Sequence, residues 1–351
     1  MSYTNECTGL MDVNICDNKY NFGLIYLLRI ILGLFQSLCF PSFHSIIAIW
    51  ANKQEKTQFT SFAFSGSSVG ATLTLLLSIH LMKSNWKLIF YIPGFIGLIW
   101  SYVWYNIMHD NPRNNTNITD KELKLLLSHN DSINTDVTRI PYINFITNKV
   151  SWSLFIVHSS HTWTLYFMLT MLPTYFHKQL HYDIHGSGIT MVLPYICTFI
   201  APLIVSPYVD KLIMNGYNKA MIRKIMQTIA NIIPGILLIM CGYITNTNII
   251  IILFSLAFAC AGLSNCGFLV TYNDVSPTLS SFLYGISNTI ATLPGIIAPV
   301  ISGYILGDNP TIIEWRILFY ICFTFHIIGC AIYWFWGKIE YIKQLNVIHP
   351  N

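Results

Sequence analysis

Residues 23–49 are GLIYLLRIILGLFQSLCFPSFHSIIAI, an apolar stretch that contains one charged side chain, Arg29. About 20 apolar residues in a helix cross the hydrocarbon core of a bilayer, so this stretch is long enough to span a membrane. An ionisable group at that depth is costly and marks a functional position by default. The stretch therefore predicts a transmembrane helix with one functional cation inside it.

Eight more apolar stretches determine the fold class. Hydrophobic residues make up 54% of the 351, and charged residues make up 10%, whereas soluble domains carry about 25% charged residues. We therefore predict an all-α polytopic membrane protein with about nine transmembrane helices and exclude a soluble one. The basic residues lie in short connections, which argues against nucleic-acid binding. The predicted helices cover roughly residues 23–49, 58–82, 87–108, 151–176, 187–209, 223–244, 248–270, 281–306 and 315–337.

The connections between the helices differ in charge. Thirteen Lys and Arg residues fall on one side and five on the other. Because basic residues are enriched in cytoplasmic loops, the N-terminus is predicted to be outside or lumenal and the C-terminus cytosolic. The predicted organisation is a non-cytosolic segment 1–22, three helices of an N-terminal bundle in 23–108, a flexible cytosolic linker 109–150, a C-terminal six-helix bundle 151–337 and a cytosolic tail 338–351.

A short pattern occurs twice. Residues 85–92, NWKLIFYI, are similar to residues 314–321, EWRILFYI. Parallel repeats of several helices build many transporters. Five predicted helices lie between the linker and the second copy, but two precede the first copy. We therefore expect a 6+6 arrangement that lacks its first three helices, with chance similarity as the alternative.

Several motifs resemble those of a known family. They are RIILG at 29–33, FPSFH at 40–44, FSG at 64–66, LPTYF at 172–176, LPY at 193–195, RKIM at 223–226 and GISNTIATLPG at 285–295. On these residues the chain resembles the anion transporter family of the major facilitator superfamily, which includes sialin, the vesicular glutamate transporters and the type I sodium-phosphate cotransporters. The resemblance implies an N-terminally truncated secondary transporter of organic or inorganic anions that works by alternating access. It also implies the plasma membrane or a lysosomal or vesicular membrane.

Arg29 is the first candidate for contact with the anion. It lies about 10 Å from the outer end of its helix, where a guanidinium can hold a carboxylate or phosphate with two parallel hydrogen bonds. A continuous helix would place Gln36 and His44 on the same face as Arg29. The alternative is that Arg29 pairs with an absent helix or extends to the membrane surface. The predicted substrate-binding residues are Arg29, Gln36, His161 and Asn288.

Two histidines on the fourth predicted helix are candidates for coupling. By the resemblance, His161 falls where vesicular glutamate transporters carry an arginine, and His158 falls where sialin has a histidine. A titrating imidazole there would gate anion binding by pH, and a neutral packing histidine is the alternative. His44 matches a family histidine, for which a structural role is expected.

Gating is predicted for residues near helix ends and helix bends. Asp210 closes the fifth predicted helix and resembles the cytosolic loop motif of the superfamily, which indicates a gating or interface role. Gly285, Pro294 and Gly295 lie in the eighth predicted helix, where small residues allow close packing and proline allows bending. The alternative is that they serve packing alone.

One departure from the family bears on coupling. Proton-coupled members carry a glutamate seven residues after the arginine that matches Arg29, and Gln36 occupies that position here. Asp and Glu are also absent from the depth of the predicted helices. We therefore expect a small anionic solute driven by membrane potential or a gradient, with a co-transported Na⁺ or H⁺ as the alternative. The sequence indicates no cofactor and no metal.

Two other classes of protein are alternatives to a carrier. A truncated, transport-incompetent member of the same family that acts as a partner or remnant is the main alternative to a carrier. An intramembrane enzyme finds no support, because the sequence lacks HExxH, Gly-x-Ser-x-Gly and metal-ligand clusters.

Overall fold

Helices form all the regular structure in the part of the chain that the computed structural model describes, which is residues 19–52, 54–81, 85, 87–130, 142–180 and 188–339. They are α1 (Lys19–Gln36), α2 (Cys39–Trp50), α3 (Lys56–Leu81), α4 (Leu88–Ile107), α5 (Asp120–Asn130), α6 (Tyr142–Thr147), α7 (Lys149–Lys178), α8 (Gly188–Met214), α9 (Lys219–Cys241), α10 (Thr247–Gly262), α11 (Phe268–Val275), α12 (Ser280–Leu306) and α13 (Ile312–Trp336).

The prediction of an all-α polytopic membrane protein is confirmed. Eight helical segments within the described residues are long and apolar enough to cross a membrane. The remaining predicted span corresponds to α7, which has 30 residues. This helix is long enough but less apolar, because histidines and hydroxyl-bearing side chains are spread along it.

The first predicted span consists of two helices. α1 ends at Gln36 and α2 begins at Cys39. Pro41 has no amide hydrogen to donate to the carbonyl of residue 37, which weakens a continuous helix here. The Ser37 hydroxyl turns back and donates to the carbonyl of Leu34 at 2.7 Å. The sequence predicts one continuous helix over residues 23–49, and the structure interrupts it between Gln36 and Cys39.

The chain divides into two compact units, one up to Phe40 and one from Pro41 onward. In the second unit, α7 packs against α12 and α13, α9 packs against α10 and α13, and α8 packs against α10. α3 lies along α8 and joins this bundle. One end of the second unit, where α3 and α9 begin, contains four basic residues: Lys56, Lys219, Arg223 and Lys224. We call it the basic end.

The predicted span 248–270 is longer than expected and is broken. α10 ends at Gly262, a short 3₁₀ turn follows, and α11 continues to Val275. The amide of Phe268 donates to the side-chain carbonyl of Gln227 at 3.0 Å. A β-carbon at position 267 would collide with Gln227, so Gly267 is required there. The break leaves backbone carbonyls inside the bundle that other groups can use.

The predicted flexible linker contains two helices, α5 and α6. The Glu122 amide donates to the Thr119 hydroxyl at 3.4 Å, as in a helix N-cap. Phe145 of α6 is fully buried and packs edge-on against Phe282 of α12, with ring centroids 5.3 Å apart. The end of the linker is therefore anchored on the bundle by an aromatic contact that composition does not reveal.

The glycines of the bundle differ in whether they allow close helix contacts. Gly295 does pack against the ring of Tyr166. The second unit has open space around the β-carbon position of Gly66, Gly70 and Gly303. The close approach of α8 and α10 occurs instead at Gly262, where a β-carbon would lie 2.7 Å from the carbonyl oxygen of Thr198.

The second copy of the repeated pattern anchors α13 at the end opposite the basic end. Trp315 is fully buried. The Arg316 guanidinium donates to the carbonyl of Gly242 at 2.7 Å and lies 4.2 Å from the ring centroid of Tyr243. In the first copy Trp86 lies outside the described residues, so the equivalence of the two copies stays a prediction.

Candidate functional site

A buried carboxylate gathers three cations at the basic end. Asp274 accepts a hydrogen bond from Nε of Arg223 at 3.1 Å, and Nζ of Lys219 lies 3.3 Å from it. Nζ of Lys56 lies 4.0 Å from the same carboxylate and donates to the carbonyl of Asn273 at 3.0 Å. Arg223 is 1% exposed. A charge buried to this degree requires a partner, so Asp274 and Arg223 depend on each other.

A second carboxylate holds the beginning of α3. The two oxygens of Asp210 accept hydrogen bonds from the backbone amides of Thr57 and Gln58, at 3.2 and 3.0 Å. These amides belong to the first turn of α3, where the helix leaves them without intrahelical acceptors. The helix dipole also favours a negative charge there. Asp210 therefore acts as an N-cap of α3 that is supplied by α8.

Arg223 connects the contacts of the two carboxylates, because it bonds to Asp274 directly and to Thr57, whose amide bonds to Asp210. Its Nη1 donates to the hydroxyl of Thr57 at 2.8 Å and to the carbonyl of Cys266 at 3.2 Å. The Cys266 carbonyl is one of those freed by the break after α10. We call Lys56, Thr57, Asp210, Arg223 and Asp274 the basic-end clamp, because together they tie α3 to α8, α9 and α11.

Of the residues of the basic-end clamp, the sequence predicts a functional role for Asp210 alone. Asp274 lies four residues beyond the end of the predicted span 248–270. In the sequence, Arg223 belongs to the RKIM motif and Lys56 lies between two predicted helices. A run of charges just outside apolar stretches was the available indication, but it does not reveal which charges meet.

A layer of buried histidines and tyrosines lies next to the basic-end clamp. The side-chain amide of Asn273 donates to Nδ1 of His44 at 3.0 Å. Nδ1 of His158 lies 3.0 Å from the Ser287 hydroxyl, which also contacts the Tyr272 hydroxyl. Tyr272, Asn273 and Asp274 are consecutive, so one turn of α11 connects this layer to the clamp.

His161 occupies a different environment from His158. Its Nε2 lies 3.4 Å from the Ser264 hydroxyl, and its ring centroid lies 5.7 Å from that of Phe268. His161 is half-buried, whereas His158 is buried. The two histidines therefore contact different hydroxyls but share the ring of Phe268, whose centroid lies 5.1 Å from that of His158.

A cavity of about 340 Å³ is lined by α3, α7 and α8 in the half of the unit opposite the basic end. Its lining is largely apolar, with the hydroxyls of Thr74, Ser78 and Tyr195 as polar groups. The lining contains none of the substrate-binding residues that the sequence predicted. The residues that line it are Ala71, Thr74, Leu75, Ser78, Leu169, Leu172, Pro173 and Tyr195.

The remaining predicted site residues lie on α1 and α12. Arg29 and Gln36 are exposed on α1, and the described part of their unit, residues 19–40, contains no carboxylate. Asn288 on α12 is half-buried. The β-carbon position of Gly285 lies 3.9 Å from Cγ of Pro41, so α12 passes close to α2 there. Pro294 is buried within α12.

Comparison with known proteins gives consistent matches along the chain. A family model described as Major Facilitator Superfamily matches residues 8–299. Sialin of Homo sapiens is 28% identical over 321 residues, which is 91% of this chain and 65% of that protein. Vesicular glutamate transporter 1 of Bos taurus is 27% identical over 325 residues, 90% of this chain and 57% of that protein.

A plant protein extends the range of these matches. Sodium-dependent phosphate transport protein 1, chloroplastic, of Arabidopsis thaliana is 26% identical over 314 residues, 89% of this chain and 60% of that protein. The chain thus spans less than two thirds of the length of each of these three relatives. Two of the three names describe transport, and none describes an enzyme.

Proposed function

The chain belongs to the Major Facilitator Superfamily, and from that premise we propose that it carries small organic or inorganic anions across a membrane by alternating access. One observation carries the proposal. α3 is tied to the bundle at the basic end by Asp210 and Arg223, whereas in the other half a cavity of about 340 Å³ lies between α3 and α7, with Tyr195 of α8 at its wall. A carrier that is closed at one end and open at the other has this asymmetry.

In this proposal the basic-end clamp is the gate on one side of the membrane. Its contacts are polar, directional and gathered between α3 and the bundle, so they can separate as a group when α3 moves. His44 and His158 belong to the closed layer beside it, and Gly285, Pro294 and Gly295 let α12 bend as the gate opens. The excess of basic residues at this end supports a cytosolic location for it.

The negative charge of the solute is the feature that the site must recognise. Relatives named for glutamate and phosphate support an anionic solute. Arg29 is the proposed direct contact on α1, and Gln36, His161 and Asn288 are proposed as further substrate-binding residues. Arg29 has no acidic partner within residues 19–40, so a travelling anion supplies the compensating charge.

Replacing Arg29 is expected to weaken anion uptake. Hydrogen bonds to charged groups contribute about 1.5–3 kcal/mol, so Arg29→Ala raises the half-saturating anion concentration at least about tenfold. The measurement is uptake of labelled sialate, glutamate, phosphate and urate by vesicles that contain the full chain. Arg113→Ala, in the exposed linker, is the matched control and leaves uptake unchanged.

Three outcomes of this experiment are informative. Equal uptake by Arg29→Ala and Arg113→Ala removes Arg29 from the anion path. Saturable uptake by the intact chain supports the carrier. No saturable uptake of any of the four anions favours a transport-incompetent member of the family that acts as a partner.

Coupling to protons is expected to be absent. Gln36 cannot exchange a proton, and the buried carboxylates of the described residues, Asp210 and Asp274, are both engaged in the basic-end clamp. An imposed pH gradient at clamped voltage should therefore drive no accumulation of anion, while an imposed membrane potential should. Accumulation driven by pH alone would show that a histidine or another group carries the proton.

A further inference from the structure

A groove of about 450 Å³ lies between α9 and α13 on the outer surface of the second unit. Its lining is almost wholly apolar, and the side chain of Phe335 at its edge is 85% exposed. Exposed apolar surface of this kind faces lipid in a membrane protein. The groove is lined by Ile232, Ile327, Cys330, Ala331, Trp334 and Phe335.

Two contacts between the helices shape the groove. At its inner end, Phe323 of α13 packs directly on Gly235 of α9, where no β-carbon would fit. Toward the basic end the two helices are held apart by Trp334, whose indole nitrogen donates to the Thr228 hydroxyl at 2.7 Å. The groove is thus a recess built by the packing of large and small residues, rather than a gap between loosely packed helices.

A cation lies at the end of this apolar groove. Nζ of Lys224 donates to the carbonyl of Trp334 at 2.8 Å and lies 5.6 Å from the centroid of the Trp334 ring. An ammonium has three donors, so two more are left to bind a ligand. Lys224 is one helical turn from Thr228 and two from Ile232, and eight residues of helix correspond to about 12 Å.

We propose that this groove binds an anionic phospholipid, with its headgroup phosphate at Lys224 and an acyl chain along Ile232, Ala331 and Phe335. The apolar wall matches the acyl chain, and the lysine at the helix end matches the negative headgroup. Basic pockets between transmembrane helices near a membrane surface bind such headgroups, and a tryptophan at that depth suits the interface. Charge complementarity at Lys224 selects an anionic lipid over a neutral one.

Native mass spectrometry of the purified full chain tests the headgroup preference. The chain is exposed to equal amounts of phosphatidylserine and phosphatidylcholine, and the lipids that remain bound are counted. A lysine near an anionic membrane surface contributes about 1 kcal/mol, so Lys224→Gln should reduce the preference for phosphatidylserine about fivefold. Lys211→Gln is the matched control, because Lys211 is an exposed lysine at the basic end outside the groove.

Brominated acyl chains locate the bound lipid. In bilayers that contain brominated phosphatidylserine, the part of the fluorescence quenching that is lost in Trp334→Phe reports lipid in the groove. This part should be larger with brominated phosphatidylserine than with brominated phosphatidylcholine. Lys224→Gln should reduce it to the value obtained with phosphatidylcholine. Equal quenching by the two lipids in the unchanged chain, or an equal loss of preference in Lys211→Gln and Lys224→Gln, would overturn the proposal.

Discussion

A disulfide across the basic end is expected to stop transport. The hydroxyl of Ser61 on α3 lies 3.6 Å from the sulphur of Cys266, which follows the break after α10. Both side chains are buried and in contact, so a sulphur introduced by Ser61→Cys has to move closer to Cys266 by about 1.5 Å to reach the S–S bond length of about 2 Å. Alternating access requires α3 to leave the bundle at this end, and a covalent link prevents that. Oxidised Ser61→Cys should therefore show anion uptake near background, restored by dithiothreitol.

The control for this experiment carries the same substitution without a partner. The double variant Ser61→Cys/Cys266→Ser retains the new thiol on α3 but cannot form the link, so the oxidant should leave its uptake unchanged. Formation of the disulfide is verified by mass. Full uptake by molecules that carry the verified disulfide would show that the basic end does not open, and the gate assigned to the basic-end clamp would be abandoned.

Neutralising Asp274 is expected to cause a large loss of stability. Asp274→Asn keeps the shape of the side chain but leaves Arg223, Lys219 and Lys56 without their shared carboxylate. Removing one partner of a buried ion pair costs about 3–5 kcal/mol, because the other charge stays buried without compensation. The measurement is unfolding of the purified chain by SDS in mixed micelles, which should yield a free energy of unfolding lower by that amount.

An aspartate at the other end of the molecule provides the comparison. Asp308 is exposed, and Lys178 bonds to its backbone carbonyl at 2.7 Å rather than to its carboxylate. Asp308→Asn should change the free energy of unfolding by less than about 0.5 kcal/mol. If the two variants unfold alike, the Asp274 carboxylate is not compensating Arg223 and the basic-end clamp contributes little to stability.

Local patterns predicted the transmembrane helices well and the breaks in them poorly. Hydropathy located α3, α4, α9, α12 and α13 to within a few residues. It merged α1 with α2 and truncated the segment that ends in α11. The break before α11 depends on a residue far away in the sequence. Gln227 supplies the hydrogen-bond acceptor that the Phe268 amide lacks within its own helix. No window of neighbouring residues contains that partner.

The sequence likewise predicts only part of the candidate site. Asp210 was predicted to have a gating or interface role from its resemblance to a family loop motif; the structure puts it in contact with α3, and the gating role stays a prediction. Arg29, Gln36 and His161 also stay predictions, because they rest on residue type, depth and family resemblance. The cavity between α3, α7 and α8 was not predicted, since its lining consists of ordinary apolar and hydroxyl side chains without a distinctive spacing.

The amino-acid sequence alone determined that this is a polytopic helical membrane protein with one charged residue, Arg29, within its first apolar stretch, residues 23–49. It could do so because the bilayer demands about 20 apolar residues per helix and penalises each buried charge, and both requirements are met within one segment. Only the tertiary structure decided that Asp274 and Arg223 neutralise each other and that Asp210 caps α3. Those contacts join residues 51 to 153 positions apart, and electrostatic and hydrogen-bond energies depend on separation in space, not along the chain.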